Sequence, residues 1–371
     1  MTLRFAPVKS NLGHMVGFWS LEMAKGKNLL GIDIGASSIK ACLLKETKRG
    51  LQLQSFDQVE IPAEAIVEGA VMNSGALVDA VREIVLRNKI KTKECALAVA
   101  GYSVIIKKIT LPLMTREELD ESIQWEAEQY IPFDINDVYL AVEILASRSA
   151  QGQMDVLLVA AKKETVNDYT AVARDAGLEP VVMDVQACCL QNMYEASYGI
   201  EEGKTVVLID VGAAVTNINV LSDGVTTFTR DIAMAGNLFT EEIQRQLGIT
   251  YEEAEAYKRG GVDDAGELVI PEEVERVCEQ VAEAIAGEVQ RSLDFYAATA
   301  SDSFFAGIYL GGGSARIPAL GMMIQNACGV PVELINPFQN IQYDAKTFTA
   351  EYLEQIAPSA GVAFGLALRK N

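Results

Sequence analysis

Histidine is almost missing from this chain. The one imidazole, His14, stands close to the start of the 371 residues, which excludes histidine acid–base catalysis and a histidine-rich metal site. Six cysteines (Cys42, Cys95, Cys188, Cys189, Cys278 and Cys328) show no C-x-x-C spacing, so they read as reduced, buried thiols of a cytosolic protein. No apolar run approaches the roughly 18 residues that span a bilayer, and any membrane association is expected to come through a partner. Positive charge is scarce: 31 Lys and Arg face 51 Asp and Glu, for a net charge of −20. That balance disfavours nucleic acid and direct adsorption to anionic lipid. The pattern G-x-x-x-x-G-K-[ST] is also absent, which argues against a P-loop nucleotide site. Residues 1–22 lack a continuous apolar core and a small-residue cleavage site, so they make a poor signal peptide. Met23, just before the first strand pattern, looks like a natural start, with residues 1–26 a disordered leader.

What the chain does have is three glycine-bearing segments in fixed order: LLGIDIGASSIKACLL, VVLIDVGAAVTNINVLSDG and GIYLGGGSARIPAL. Each passes from an apolar, β-branched strand pattern into a turn of small residues, where backbone can approach a bulky anion. In the first, Asp33 ends the apolar run, and a carboxylate there needs a cation or water to offset its burial. Gly35, Ser37 and Ser38 leave backbone N–H groups free for phosphate oxygens, and Lys40 supplies a point charge. Asp210, Gly212 and Thr216 repeat the design in the second. Two such carboxylates suit a hydrated Mg²⁺, which binds through few protein groups. The competing explanation is a pair of ordinary hairpin turns.

The third segment shifts the balance. Gly311, Gly312, Gly313 and Ser314 form a turn between a strand and a run at helical spacing, a place for a flat ring or ribose to lie against backbone. At this point the chain resembles the actin, Hsp70 and sugar kinase superfamily, whose phosphate 1, phosphate 2 and adenosine motifs occur in this order. The expected fold class is therefore α/β: an actin-like ATPase, ribonuclease H-like, two-domain fold.

Between the first two motifs, residues 103–177 read strand, helix, strand, strand, helix, an α/β block with its own periodicities. A helix over 74–88, with Ser74 as N-cap, precedes it. An acidic helical region covers 231–299, with Val274, Val277, Val281, Ile285, Val289 and Leu293 stepping along one buried face. The inserted block resembles the subdomain called 1C of FtsA and of the PilM family of type IV pilus assembly proteins. FtsA-like chains continue into a linker and an amphipathic membrane helix, which this sequence does not show at Asn371. The run Ser122 to Phe133, SIQWEAEQYIPF, closely resembles the PilM signature, and the chain is identified as a member of that family.

The resemblance implies four subdomains. Subdomain 1A would take 27–102, 178–205 and 355–371, and 1C would take 103–177. Subdomain 2A would take 206–230 and 300–354, and 2B would take 231–299. It further implies ATP with Mg²⁺. Asp33 and Asp210 would hold the metal through water, while Gly35, Ser37, Ser38 and Lys40 contact the phosphates. Gly212 and Thr216 would line the second hairpin, and Gly311, Gly312, Gly313 and Ser314 would receive adenosine. Glu255 and Lys258 fit an E-x-x-K helix that holds ribose and adenine, or else form an ordinary solvated ion pair. Gln186 stands where actin-like proteins place a water-orienting residue, or is a plain helix-start glutamine. Ala214 replaces a second glycine in the phosphate 2 turn, which points to slow hydrolysis or to binding alone.

The implied partner is the cytoplasmic N-terminal peptide of the membrane protein PilN, in a groove between 1A and 1C. Gln124, Trp125, Tyr130, Pro132 and Phe133 stand out in the inserted block, although a Trp and a Tyr on one helix commonly belong to a core. Other pilus platform proteins and assembly motors are further partners the resemblance implies. The expected function is a cytoplasmic ATP-binding component of the pilus assembly platform, recruited to the inner membrane by its partner and at most a slow ATPase. The alternatives are an FtsA-like filament-forming protein and a small-metabolite kinase.

Overall fold

Alternation of buried and outward-facing residues builds two five-stranded sheets, each in a compact unit of its own. The computed structural model describes residues 26–148, 151–260, 262–263, 266–267, 270–300 and 304–370, so the expected leader lies outside them up to residue 25. One unit takes the chain up to Ala196 together with Asn340–Thr347 and the stretch from Val362. The other takes Ser197–Gln339 and Phe348–Gly361.

The first unit begins with β1 (Leu30–Ile34), β2 (Ser38–Thr47), β3 (Gly50–Glu60), the short pair β4 (Ile66–Val67) and β5 (Ala70–Val71), and α1 (Ser74–Arg87). It continues through β6 (Glu94–Val99), β7 (Val104–Pro112), α2 (Arg116–Ala127), β8 (Val138–Arg148), β9 (Gln153–Lys162), α3 (Lys163–Asp175), β10 (Glu179–Val185) and α4 (Gln186–Tyr198). Its large sheet has the order β10-β6-β1-β2-β3, with β1, β6 and β10 parallel and β2 and β3 an antiparallel meander. Leu30, Ile32 and Ile34 bury one face of β1 beneath α1 and α3. The N-cap of α1 is Asn73, one residue before the expected Ser74: its side-chain oxygen accepts from Ala76 N at 3.1 Å, and asparagine caps as well as serine.

The strand, helix, strand, strand, helix order expected of 103–177 is present. Strands β7, β9 and β8 form a separate antiparallel sheet with α2 on its face, joined through Ile109, Leu119, Ile123, Val156 and Leu158. Helix α2 starts at a capping box: Glu118 N donates to Thr115 Oγ1 at 3.2 Å and Thr115 N to Glu118 Oε2 at 2.7 Å. Helix α3 instead packs Val166, Tyr169, Val172 and Ala173 into the core of the five-stranded sheet.

The second unit runs β11 (Thr205–Val211), β12 (Thr216–Ser222), β13 (Val225–Ile232), α5 (Gly236–Leu247), α6 (Tyr251–Lys258), and the two-residue strands β14 (Val262–Asp263) and β15 (Gly266–Glu267). It continues with α7 (Glu272–Thr299), β16 (Phe305–Gly311), α8 (Leu320–Cys328), β17 (Val332–Leu334) and α9 (Ala350–Ile356). Its sheet order is β13-β12-β11-β16-β17, the same plan as the first: an antiparallel meander with a parallel neighbour beside its first strand. All six apolar positions expected on the buried face of α7 are buried.

The chain closes with α10 (Gly361–Ala367). A Cβ on Gly31 would stand 2.4 Å from Ala363 O, and one on Gly365 2.0 Å from Cys189 O, so β1, α10 and α4 pack backbone against backbone. Just beyond, Arg369 Nε donates to Asp184 Oδ2 at 2.6 Å, pinning the chain end to β10. Among the described residues, no helix is long and apolar enough to cross a membrane. All six cysteines are free thiols, and five are buried.

Candidate functional site

Each sheet presents one glycine hairpin at the end of its first strand. In the first unit Asp33 and Lys40 are cross-strand partners, and Lys40 Nζ lies 3.3 Å from Asp33 Oδ2. Gly35 N donates to Ser38 O at 3.2 Å, closing the turn, while Ile61 N donates to Ser37 O at 3.0 Å. A Cβ on Gly35 would lie 3.7 Å from Lys40 Nζ, so the ammonium stands directly over the bare turn. Ser37 is exposed and Ser38 half-buried. Gln186, the first residue of α4, is half-buried two residues past Asp184, whose own carboxylate accepts from Val185 N at 2.8 Å.

The second unit brings four segments together. Gly212 N donates to Val215 O at 3.0 Å to close the hairpin, and Gly236 N and Asn237 N donate to Gly212 O and Ala213 O at 3.0 and 2.7 Å. Gly312 N donates to Pro358 O at 2.7 Å, and Ser314 N to Val211 O at 3.0 Å. Gly312 has φ 96°, and a Cβ there would lie 2.3 Å from Val211 O, so no side chain fits between this turn and β11. Gly313 is exposed with nothing within 4 Å of its Cβ position, the open spot of the turn.

Two predicted residues have their side chains occupied. Thr216 is fully buried and its hydroxyl donates to Met234 O at 2.7 Å, holding the end of β13. Ser314 Oγ donates to Gly212 O at 2.9 Å, which ties the third glycine turn to the second. Both act on backbone rather than presenting a free hydroxyl.

Glu255 and Lys258 are more than a solvated surface pair. Their side chains are 21% and 10% exposed and meet at 2.5 Å. Lys258 Nζ also donates to Thr240 Oγ1 at 3.0 Å and Gly236 O at 3.4 Å, and Thr240 Oγ1 donates to Glu255 Oε2 at 2.7 Å. Burial holds the Lys258 ammonium below the ordinary lysine pKa, with the Glu255 carboxylate opposing part of that shift. Helix α6 is thereby fastened to the start of α5, which is fastened to the hairpin. Gly236 and Thr240 were not singled out in the sequence, although the G-N-L-F-T run after β13 carries their glycine signal.

The glycine turn of each unit, taken by itself, suits an anionic oxygen. A lysine stands over a Cβ-free turn in the first unit, and an exposed glycine tops a backbone-closed turn in the second. Among the described residues no group of three or more His, Cys, Asp or Glu could cage a metal. A separate cavity of about 710 Å³ in the first unit lies where β6 and β10 begin, lined by Lys27, Lys93, Glu94 and Glu179. That is the opposite end of the parallel strands from Asp33.

The profile of the type IV pilus assembly protein PilM family matches residues 31–371. The chain belongs to that family. It is similar to a solved PilM-PilN type IV pilus biogenesis complex, with 29% identity over 92% of this chain and 98% of that one and a TM-score of 0.82. It is also similar in fold to the ethanolamine utilization protein EutJ from Carboxydothermus hydrogenoformans, with 17% identity over 94% of this chain and 91% of that one and a TM-score of 0.56. Membership in the PilM family, with its actin-like fold, agrees with the order of the three glycine turns. The signature run of the PilM family falls on α2 and the loop after it. Trp125 is 75% exposed there, so it is not a core residue. Tyr130 and Phe133 are half-buried against the small sheet, with Lys162 Nζ 4.5 Å from the Phe133 ring centre.

Proposed function

We propose that this chain is a cytoplasmic ATP-binding component of the type IV pilus assembly platform, which docks the N-terminal peptide of PilN and links nucleotide state to assembly at the inner membrane. The observation that carries the reading is the linked set of turns in the second unit, with Ser314, Gly236 and Lys258 all bonded into one frame.

In this reading Lys40 and the Gly35, Ser37 and Ser38 turn bind phosphate oxygens, and the Gly212 turn binds phosphate from its own hairpin. Gly311, Gly312 and Gly313 offer backbone to the nucleoside, with the Glu255–Lys258 pair setting the ribose side. Asp33 and Asp210 would hold Mg²⁺ through its waters, and the cation when bound offsets phosphate charge. Gln186 orients water near the phosphates. The Ala214 methyl keeps this chemistry slow, so binding is the working state.

Trp125 serves as an exposed aromatic anchor of the inserted block, and a groove between subdomains 1A and 1C takes the PilN peptide. The PilN part draws support from the 29% identical PilM-PilN complex. Calorimetry with Mg²⁺-ATP, followed by a pull-down on a synthetic PilN N-terminal peptide, tests the proposal. Saturable ATP binding and ATP-sensitive peptide retention are expected. Absence of both would sink it.

A further inference from the structure

Beside Asp210 the sheet of the second unit carries a buried amide oxygen with no donor. Asn217 is 6% exposed, and its Oδ1 has no hydrogen-bond partner among the described residues. Its other end is fixed: Nδ2 donates to Asp231 Oδ1 at 2.7 Å. A carboxylate oxygen only accepts, so the group facing Asp231 must be the NH₂ and the orphan must be the oxygen. The register places Asp210, Asn217 and Asp231 directly opposite one another on three adjacent strands. Such neighbours point to one face with Cβ atoms about 4.5–5.5 Å apart. The hydrophobic core of this unit takes the alternate residues Ile209, Val211, Ile218 and Ile232, which leaves the polar row on the other face. An unsatisfied buried carbonyl is costly, and an apolar side chain in its place would avoid that cost.

We propose that Asn217 Oδ1 accepts a hydrogen bond from a water of the divalent cation held at Asp210, with Asp231 as the positioning residue that aims it. The inference rests on the nucleotide reading above and deepens it. A neutral oxygen acceptor suits this place, because a metal-bound water is a strong donor and a third carboxylate would add repulsion. Asp231 is an outer partner that fixes which face of the amide the cation's water meets.

The experiment compares ATP affinity by calorimetry with Mg²⁺ and with a chelator, in the full-length chain, Asn217→Leu and Asp231→Asn. Mn²⁺ titrated against the protein–ATP mixture and followed by electron paramagnetic resonance gives a second readout independent of turnover. In Asn217→Leu, metal-free ATP affinity is expected to stay as in the parent, while the gain from Mg²⁺ falls about tenfold. Asp231→Asn, which conserves size, is expected to lower the gain in the same direction by a smaller factor, and serves if the leucine variant does not fold. Full Mg²⁺ enhancement in both variants would overturn the proposal and make Asn217 a residue of the fold alone. ATP binding by the parent with no Mg²⁺ enhancement also overturns it while leaving the nucleotide site standing. No ATP binding by the parent removes the nucleotide reading and this inference with it.

Discussion

Ser314 Oγ donates to Gly212 O at 2.9 Å across 102 residues of sequence, so the second and third glycine turns are one structural object. Gly236 sits against the same bond. A Cβ on it would lie 2.1 Å from Ser314 Oγ but 3.4 Å from Ser314 Cβ. Gly236→Ala is therefore expected to destabilise the second unit by about 1–3 kcal/mol, read from urea unfolding. Ser314→Ala alone loses about 1 kcal/mol, the usual worth of one hydrogen bond. The double variant should be more stable than the sum of the two losses predicts, because removing the hydroxyl removes the main obstacle. Simple additivity would show that the clash lies elsewhere, for example with Gly212 O at 3.1 Å.

Lys40 has two possible employments, an ion pair with Asp33 and a phosphate. The pair is largely buried, at 11% and 19% side-chain exposure, yet its 3.3 Å contact is long for a charge-assisted bond. In the proposed function the ammonium over the bare turn serves phosphate instead. Lys40→Ala should weaken ATP binding by about tenfold to a hundredfold, the worth of one charge-assisted contact. Far-ultraviolet dichroism should be unchanged. Equal ATP affinity in parent and variant would assign Lys40 to the ion pair only.

The strand-to-turn signals of the three glycine segments were legible because buried strands leave long apolar runs and tight turns leave glycine. Helix α7 was legible through its three-and-four spacing. Side-chain commitments were not. Thr216 and Ser314 look like free hydroxyls in the sequence, but backbone carbonyls of Met234 and Gly212, 18 and 102 residues away, take them. For Trp125 the sequence left core and exposed anchor both open, and the placement of Leu119, Ile123 and Ala127 against the small sheet turns position 125 outward. Gly31 reads as part of an apolar strand, whereas its lack of a side chain serves α10, more than 300 residues later.

The thiols give a test of the core that needs no ligand. Burial pushes Cys95 and Cys188 up to about 12 and Cys278 and Cys328 up to about 11, and it raises Cys42 and Cys189 well above the ordinary thiol value. The thiolate is the nucleophile, so all six should alkylate slowly at about pH 8. Cys328 is the single one not fully buried and should react first with iodoacetamide, mapped by mass spectrometry. Cys188 and Cys189 should remain unlabelled until denaturant is added. Early labelling at those two would show that the packing of α4 against α10 opens readily.

Lys258 ties the proposed ribose helix to α5, and its protonation sets a measurable pH slope. Burial lowers its pKa in the folded state below the ordinary value of 10.5, so between the two values the unfolded chain binds more protons than the folded one. In that window stability rises with pH. Below it both states carry the proton, and the penalty of burying the ammonium is fully present. Near 10.5 and above, the penalty is relieved. Lys258→Met removes this titration while filling similar volume. The difference in urea midpoint, parent minus variant, should therefore grow from about pH 8 to about pH 10. A difference that stays level or shrinks over that range would mean that Glu255, at 2.5 Å, outweighs burial and holds the ammonium protonated.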